Sequence, residues 1–418
     1  MKKLHLLIAA FALTMSAAFA SQTRKVLVIG IDGTRADALQ AANTPNIDSI
    51  VAHGAYTFDS WCLGITVSGP SWSTIFSGVW YPKHGVTDNS YSGSHFDKFH
   101  LFPCLAKQHK PSLYAAEVME WSPLIDNVPN VYDCYDVRVK VTDGGTGTTV
   151  PPVQTQLLNS NLDVMTVYFD AVDLAGHSSG FSPSNGAYIN AIESVDAAIG
   201  TIITALKNRP TYASEDWLIL LTTDHGGTGT GHGGNTVSER HIWWIGAGSH
   251  ITHRQLNVAG TDPGTYRVAP YVDTNALKSV PVQADIAVTA LHFLLYDQNI
   301  YPAIRQMDSL DGVSWLDSIY TPPTNTGVAP VVKQTLDQSL VVFPNPVNNL
   351  LTMWFEDENE KVAYTITNEV GAVVMSESNV KKNGLKMNID LSALPAGAYF
   401  VRLTTGDQVA TRKITVAH

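Results

Sequence analysis

Four short stretches hold most of the residues able to bind a metal or attack phosphorus. Asp32 sits in Ile31-Asp32-Gly33-Thr34-Arg35, and Ser68 opens Ser68-Gly69-Pro70-Ser71-Trp72. Asp173 and His177 frame Asp173-Leu174-Ala175-Gly176-His177. Asp224-His225-Gly226 is the fourth, followed by His232 in Gly231-His232-Gly233-Gly234. Taken singly, an Asp after a strand is a turn former or cap, and a His in a Gly-rich loop is a solvated turn residue. Together, three carboxylates and three imidazoles all follow apolar runs, where an open parallel sheet builds its site. Hard oxygens mixed with borderline nitrogens suit zinc ahead of manganese or iron. Six such ligands and a hydroxyl fill two metal sites, and two metals suit in-line displacement at phosphorus.

Ser68 is the candidate nucleophile for a local reason. Pro70 fits the first turn of a helix, so Ser68 falls near an N-terminus whose free N–H groups favour an anion. Metal coordination is one accepted way to activate a serine hydroxyl. Ser71 and Ser73 lie further inside that helix and are weaker rivals. Trp61, Trp72, Trp80, Tyr81 and Tyr91 crowd this region. Core and rim packing accounts for most of them, with Trp72 as the one candidate for substrate contact.

The elements that must position these groups alternate between short apolar runs and amphipathic stretches. That pattern predicts an α/β fold with a mostly parallel central sheet flanked by helices. Lys25 to Asp32, Val164 to Tyr168 and Leu218 to Thr222 read as buried strands, the last two running into His/Asp-rich loops. Tyr188, Ile189, Ile192, Val195, Ile199, Ile202, Ile203 and Leu206 recur at helical spacing. Ile242 to Ile245 and Val282 to Leu295 continue the alternation as a strand and a helix.

The chain has 418 residues, 44% hydrophobic and 15% charged, which excludes a disordered chain and a coiled coil. Its 26 Lys and Arg against 37 Asp and Glu leave a net charge of −11, and no basic cluster is visible, so a nucleic-acid scaffold is not an expected partner. Lys2 and Lys3 precede an apolar run from Leu4 to Ala18, and Ala18-Phe19-Ala20 gives small residues at a cleavage site. Residues 1–20 therefore read as a signal peptide; an apolar stretch of about 15 residues is short for a membrane span. No transmembrane span is expected. Cys62, Cys104 and Cys134 permit one disulfide, Cys104–Cys134 among the options, and spacing leaves the pairing open.

Residues 21–320 form the expected catalytic domain. The breaker-rich run Thr321-Pro322-Pro323-Thr324-Asn325-Thr326-Gly327 opens a linker, 321–339. Residues 340–418 then read as short strands, a small β-sandwich. Phe343-Pro344-Asn345-Pro346, Asn368-Glu369-Val370-Gly371, Leu394 to Val401 and Lys413-Ile414-Thr415-Val416 resemble the C-terminal sorting domain of the type IX secretion system. The resemblance implies export through that machinery, with the tail as the address. A carbohydrate-binding or adhesive domain is the competing reading of the tail.

The site motifs resemble the alkaline phosphatase superfamily, in its type I phosphodiesterase/nucleotide pyrophosphatase branch. The nucleophile segment Ser68-Gly69-Pro70-Ser71 with Ser77-Gly78 is followed by the turn Tyr81-Pro82-Lys83-His84-Gly85-Val86, then by the D-x-x-G-H and D-H-G elements. His232-Gly233-Gly234 with Glu239 is similar to the phosphoethanolamine transferase members. The likeness runs from about residue 24 to about 296. It implies one metal held by Asp32, Ser68, Asp224 and His225 and a second by Asp173, His177 and His232, with zinc as the metal. It also implies a phosphoseryl intermediate on Ser68 and a phosphate oxygen held by Asn89. Two departures stand: one residue separates Pro82 from His84 where relatives have two, and the nucleophile is Ser where many relatives have Thr.

Rival readings share the scaffold. A sulfatase would carry an Arg where Trp72 stands and an Asn or Gln where His225 stands. A phosphomonoesterase needs cations for a doubly charged phosphate, and Lys83 and Arg35 are the nearby ones in sequence. A transferase or a metal-stabilised surface binding protein completes the set. A small phosphate ester is the expected substrate, of a kind the sequence leaves open.

Overall fold

A computed structural model describes residues 22–128, 134–307, 309–322, 336, 340–343, 345–355, 361–381 and 386–417. The expected signal peptide and most of the expected linker lie outside them. Eight strands build the larger sheet: β1 (Thr23–Ile31), β2 (Ala55–Trp61), β3 (Tyr114–Met119), β4 (Val137–Lys140), β5 (Leu162–Phe169), β6 (Glu215–Thr222), β7 (His241–Ala247) and β8 (Arg254–Gln255). They lie in the order β4-β3-β5-β1-β6-β7-β2-β8. The first five of that order are parallel; β7 is antiparallel to both β6 and β2.

Strand β1 shows why the sheet needs two covering layers. Val26 and Val28 face one apolar cluster, with Trp72, Ile75 and the helix Asp285–Leu294. Leu27, Ile29 and Ile31 face the other, where the helix Gly186–Lys207 lays down Tyr188, Ile192, Val195, Ile199 and Ile202. Alternate side chains thus enter opposite layers, and a strand buried on both faces reads as one continuous apolar run. Among the described residues, the helix Gly186–Lys207 is the one long and apolar enough to cross a membrane by length and composition. Its apolar stripe is spent on this core.

Because β5, β1 and β6 are neighbours and parallel, their carboxyl ends open side by side. Ile31 pairs with Phe169, and Gly30 with Thr222. Asp32, the helix Ala171–Ser179 that carries Asp173 and His177 where the sequence suggested a loop, and Asp224-His225 therefore leave one edge of the sheet together. Cys104 and Cys134 are joined as a disulfide, and Cys62 is a buried free thiol.

The C-terminal segment forms two antiparallel sheets around its own core of Val347, Leu351, Met353, Ile366, Val401 and Ile414. Its strands are β9 (Val341–Phe343), β10 (Leu350–Trp354), β11 (Lys361–Asn368), β12 (Val373–Lys381), β13 (Lys386–Asp390), β14 (Gly397–Thr405) and β15 (Gln408–Val416). The three-stranded order is β13-β10-β9 and the four-stranded order β12-β11-β14-β15, a small sandwich.

Candidate active site

Each imidazole at the carboxyl edge is oriented from behind by a backbone carbonyl. His177 Nδ1 lies 2.9 Å from Thr230 O, His232 Nδ1 2.8 Å from Thr66 O, and His225 Nδ1 2.9 Å from Gly226 O. A carbonyl only accepts, so Nδ1 carries the proton in all three rings and Nε2 faces inward. Those inward nitrogens meet the carboxylates. His225 Nε2 is 3.2 Å from Asp224 Oδ2 and 3.6 Å from Asp32 Oδ1. His177 Nε2 is 3.2 Å from Asp173 Oδ2, and His232 Nε2 is 3.7 Å from Asp173 Oδ1. His177 and His232 bring their Nε2 atoms within 3.0 Å of each other.

The carboxylates are held in the same way, one oxygen tied and one free. Asp224 Oδ1 accepts from Gly33 N at 3.1 Å, and Asp32 Oδ2 accepts from Tyr168 and Trp72. Gly33, at φ +63°, is required here because a Cβ would press on the Asp173 side chain. Asp32 Oδ1, Asp173 Oδ1, Asp224 Oδ2 and His225 Nε2 are all buried without a hydrogen-bond partner. Burying four such atoms unpaired is costly, and a cation between them removes the cost.

Charge crowding shows in the titration directions. Burial, then the Asp173 charge, pushes Asp32 up to about 7. Burial and Asp32 push Asp224 well above the usual carboxylate range. Burial would raise Asp173 too, but the hydrogen bond from His177 and the neighbouring imidazoles hold it below that range. The hydrogen bond to Asp173 carries His177 up to about 9. Burial lowers His225 and His232.

Two groups of ligand atoms come within 4.8 Å of one another: Asp32, Asp224 and His225, and Asp173, His225 and His232. Five of the seven residues read from the sequence as two ligand sets thus lie in one cluster with His225 at its middle, and His177 joins it through its contacts with Asp173 and His232. The His225 ring stacks on His232 at 3.9 Å between centroids.

Ser68 is the first residue of the helix Ser68–Ser77 and is 6% exposed. Two residues beside it in sequence reach the cluster: Thr66 O holds His232, and Trp72, one turn on, reaches Asp32. Ser71 Oγ donates to Ile65 O at 2.7 Å and Ser73 Oγ to Gly69 O at 2.6 Å, so both rival hydroxyls are engaged by backbone carbonyls. Asn89 is exposed, and its Oδ1 accepts from Gly69 N at 2.8 Å. That bond fixes the side-chain amide and leaves Nδ2 as the outward donor.

The expectation that Trp72 contacts substrate is corrected. Its ring is fully buried between β1, Tyr168 and Phe76, and its Nε1 is spent on Asp32. Trp61, Trp80 and Tyr91 are also buried, which leaves them as packing residues. Lys83 and Arg35, the two cations considered for a phosphate, are committed elsewhere. Lys83 pairs with Asp311, and Arg35 with Asp37 and the carbonyls of Phe181 and Gly227.

Several residues of the site were not singled out from the sequence. Thr66 and Thr230 act through backbone carbonyls, which no side-chain pattern reveals. Gln283 donates to Asp224 O from a distant segment. Tyr168 had a visible clue, a phenol at the polar end of an otherwise apolar strand.

Comparison with known proteins shows the family. A family model described as type I phosphodiesterase / nucleotide pyrophosphatase matches residues 26–130 and 135–238, half of the chain. The chain belongs to that family, a family of hydrolases. A second model, the secretion system C-terminal sorting domain, matches residues 341–417 and marks the chain for export to the surface or the medium. Ectonucleotide pyrophosphatase/phosphodiesterase family member 3 of Mus musculus is 26% identical over 223 residues, 48% of this chain and 24% of that protein. Bis(5'-adenosyl)-triphosphatase ENPP4 of Bos taurus is 24% identical over 223 residues, 49% of this chain and 48% of that protein. The chain thus spans half or less of the length of these curated relatives. Among solved structures, murine ectonucleotide pyrophosphatase / phosphodiesterase 5 aligns with a TM-score of 0.47 at 14% identity, covering 69% of this chain and 95% of that one.

Proposed function

We propose that this protein is an exported two-metal hydrolase that cleaves phosphodiester or pyrophosphate bonds through a phosphoseryl intermediate on Ser68. The observation that carries the reading is the convergence of three Nδ1-tethered imidazoles on three carboxylates whose free oxygens are buried without partners. Asp32, Ser68, Asp224 and His225 would hold one ion, and Asp173, His177 and His232 the other. The nitrogen and oxygen donor set suits zinc. When bound, the two ions supply Lewis acidity that lowers the pKa of a hydroxyl and of water and offsets charge on phosphoryl oxygens.

The chain's own groups account for the rest. Ser68 Oγ attacks phosphorus, and the bond to the leaving oxygen breaks as the serine ester forms. Water then attacks the same phosphorus and restores the Ser68 hydroxyl. Asn89, its amide fixed by Gly69 N, presents Nδ2 to a non-bridging oxygen. A preorganised donor of this kind contributes about 3 kcal/mol.

Diesters are favoured over monoesters because Lys83 and Arg35 are already engaged by protein oxygens, Lys83 by Asp311 and Arg35 by Asp37 and two carbonyls. A singly charged diester needs less compensation than a doubly charged monoester. The bis(5'-adenosyl)-triphosphatase name of one relative supports including pyrophosphate bonds. We assign residues 21–320 to catalysis, 321–339 to a linker and 340–418 to delivery by the type IX machinery. Acid quenching during diester turnover, followed by peptide mass spectrometry, tests the intermediate. Phosphate on the Ser68 peptide is expected; steady turnover with that peptide always unmodified would sink the covalent route.

A further inference from the structure

We propose that Trp72 and Tyr168 are positioning residues that fix Asp32 as a one-oxygen metal ligand. The inference rests on the two-metal reading above and concerns groups which that reading does not use. Tyr168 Oη donates to Asp32 Oδ2 at 2.5 Å, and Trp72 Nε1 donates to the same oxygen at 2.9 Å. Two donors saturate Oδ2. The other oxygen, Oδ1, is left buried without a partner and faces His225 Nε2 at 3.6 Å. The carboxylate therefore presents one defined atom to the cluster and cannot turn to chelate through both.

Three elements of the fold are given over to this arrangement. The indole comes from the second turn of the nucleophile helix, and the phenol from β5, the strand beside β1. Their rings meet edge to face at 5.1 Å between centroids, so each braces the other. The indole can cross β1 only because residue 30 is glycine: a Cβ there would overlap the six-membered ring of Trp72. Both side chains are fully buried, so neither can touch substrate. Hydrogen bonds to the outer oxygen also draw charge from the ligand and hold its orientation. Partners of this kind govern metal affinity by about 10–100-fold.

The helix that carries Ser68 is thus tied to the ligand of the same site. Trp72 stands four residues from Ser68, so the indole–carboxylate bond sets the distance between nucleophile and Asp32.

The test is zinc binding to the purified chain, measured by competition with a chromogenic chelator, for wild type, Trp72→Phe and Tyr168→Phe. Tyr168→Phe removes one oxygen and keeps the ring, so it remains informative if Trp72→Phe fails to fold. One of the two zinc equivalents should bind about 10–100-fold more weakly in each variant, with the other at wild-type affinity. With zinc restored, kcat should fall while KM for a diester stays near wild type, as befits residues that do not touch substrate. Wild-type affinity at both equivalents in a folded Tyr168→Phe would overturn the inference. A wild-type chain that binds no zinc would overturn the metal reading itself, and this inference with it.

Discussion

At the scale of single residues, the proposed metal site ties one atom of a side chain to the protein and turns the other inward. His225 and His232 are tied through Nδ1, Asp224 through Gly33 N, and Asp32 through Tyr168 and Trp72. Removing a free atom should therefore cost metal rather than fold. Asp224→Asn is expected to bind fewer than two zinc equivalents by elemental analysis while its far-ultraviolet circular dichroism stays that of wild type. Asn89→Ala should lower kcat about 100-fold, the loss of one preorganised donor. An unchanged kcat would remove Asn89 from the reaction. The acids and imidazoles were legible in the sequence because each follows an apolar run and together they exceed what turns require. Trp72 was misread for a physical reason. Nearness to Ser68 along the chain does not tell which face of a buried helix a side chain takes, and here that face packs on β1.

At the scale of elements, three of the five parallel strands, β1, β5 and β6, were legible because both faces are buried and the run is continuous, while β3 and β4 were not singled out. Strand β2 alternates between buried and half-buried positions and carries Asp59, which hides it. The helix Thr146–Leu157 contains Pro151 and Pro152, residues that read as breakers. The start of β6 depends on a buried ion pair. Arg209 Nη2 and Nε donate to Glu215 at 2.8 and 2.9 Å, with both side chains at most 2% exposed. Burial would raise Glu215, but Arg209, Trp217 and Thr211 outweigh it and hold it at about 2, against an ordinary 4.5. The folded value lies below the unfolded one, so the unfolded chain binds more protons between them. Glu215 should thus stabilise the fold fully above pH 4.5, with that share lost as pH falls through about 2. Glu215→Gln should flatten that acid limb in denaturant titrations. Arg209→Ala leaves the buried Glu215 with Lys25 Nζ at 3.7 Å as its remaining cation and should cost about 3–5 kcal/mol. A loss below about 1 kcal/mol, the range of exposed pairs, would contradict a buried role.

At the scale of the molecule, the catalytic and sorting segments have separate hydrophobic cores. Deleting residues 340–418 should leave diester turnover by the purified protein within about twofold and abolish its appearance outside the cell. Turnover lost with the tail would mean that the tail completes the site. The α/β class and the sandwich tail were legible from periodicity and breakers. The edge strand β13 was not, because a five-residue strand with polar alternate positions carries little apolar signal. The order of strands in the main sheet was also hidden, since it depends on crossovers between distant segments and not on any local pattern.

Ser68 chemistry at a metal cluster can be read out through ester selectivity. Mature protein stripped with chelator and restored with zinc would be offered bis-p-nitrophenyl phosphate, p-nitrophenyl phosphate and p-nitrophenyl sulfate, with Ser68→Ala beside it. The diester should turn over fastest, turnover should require zinc, and Ser68→Ala should abolish it. Turnover that survives chelation or the loss of Ser68, or that favours the sulfate, would contradict that chemistry.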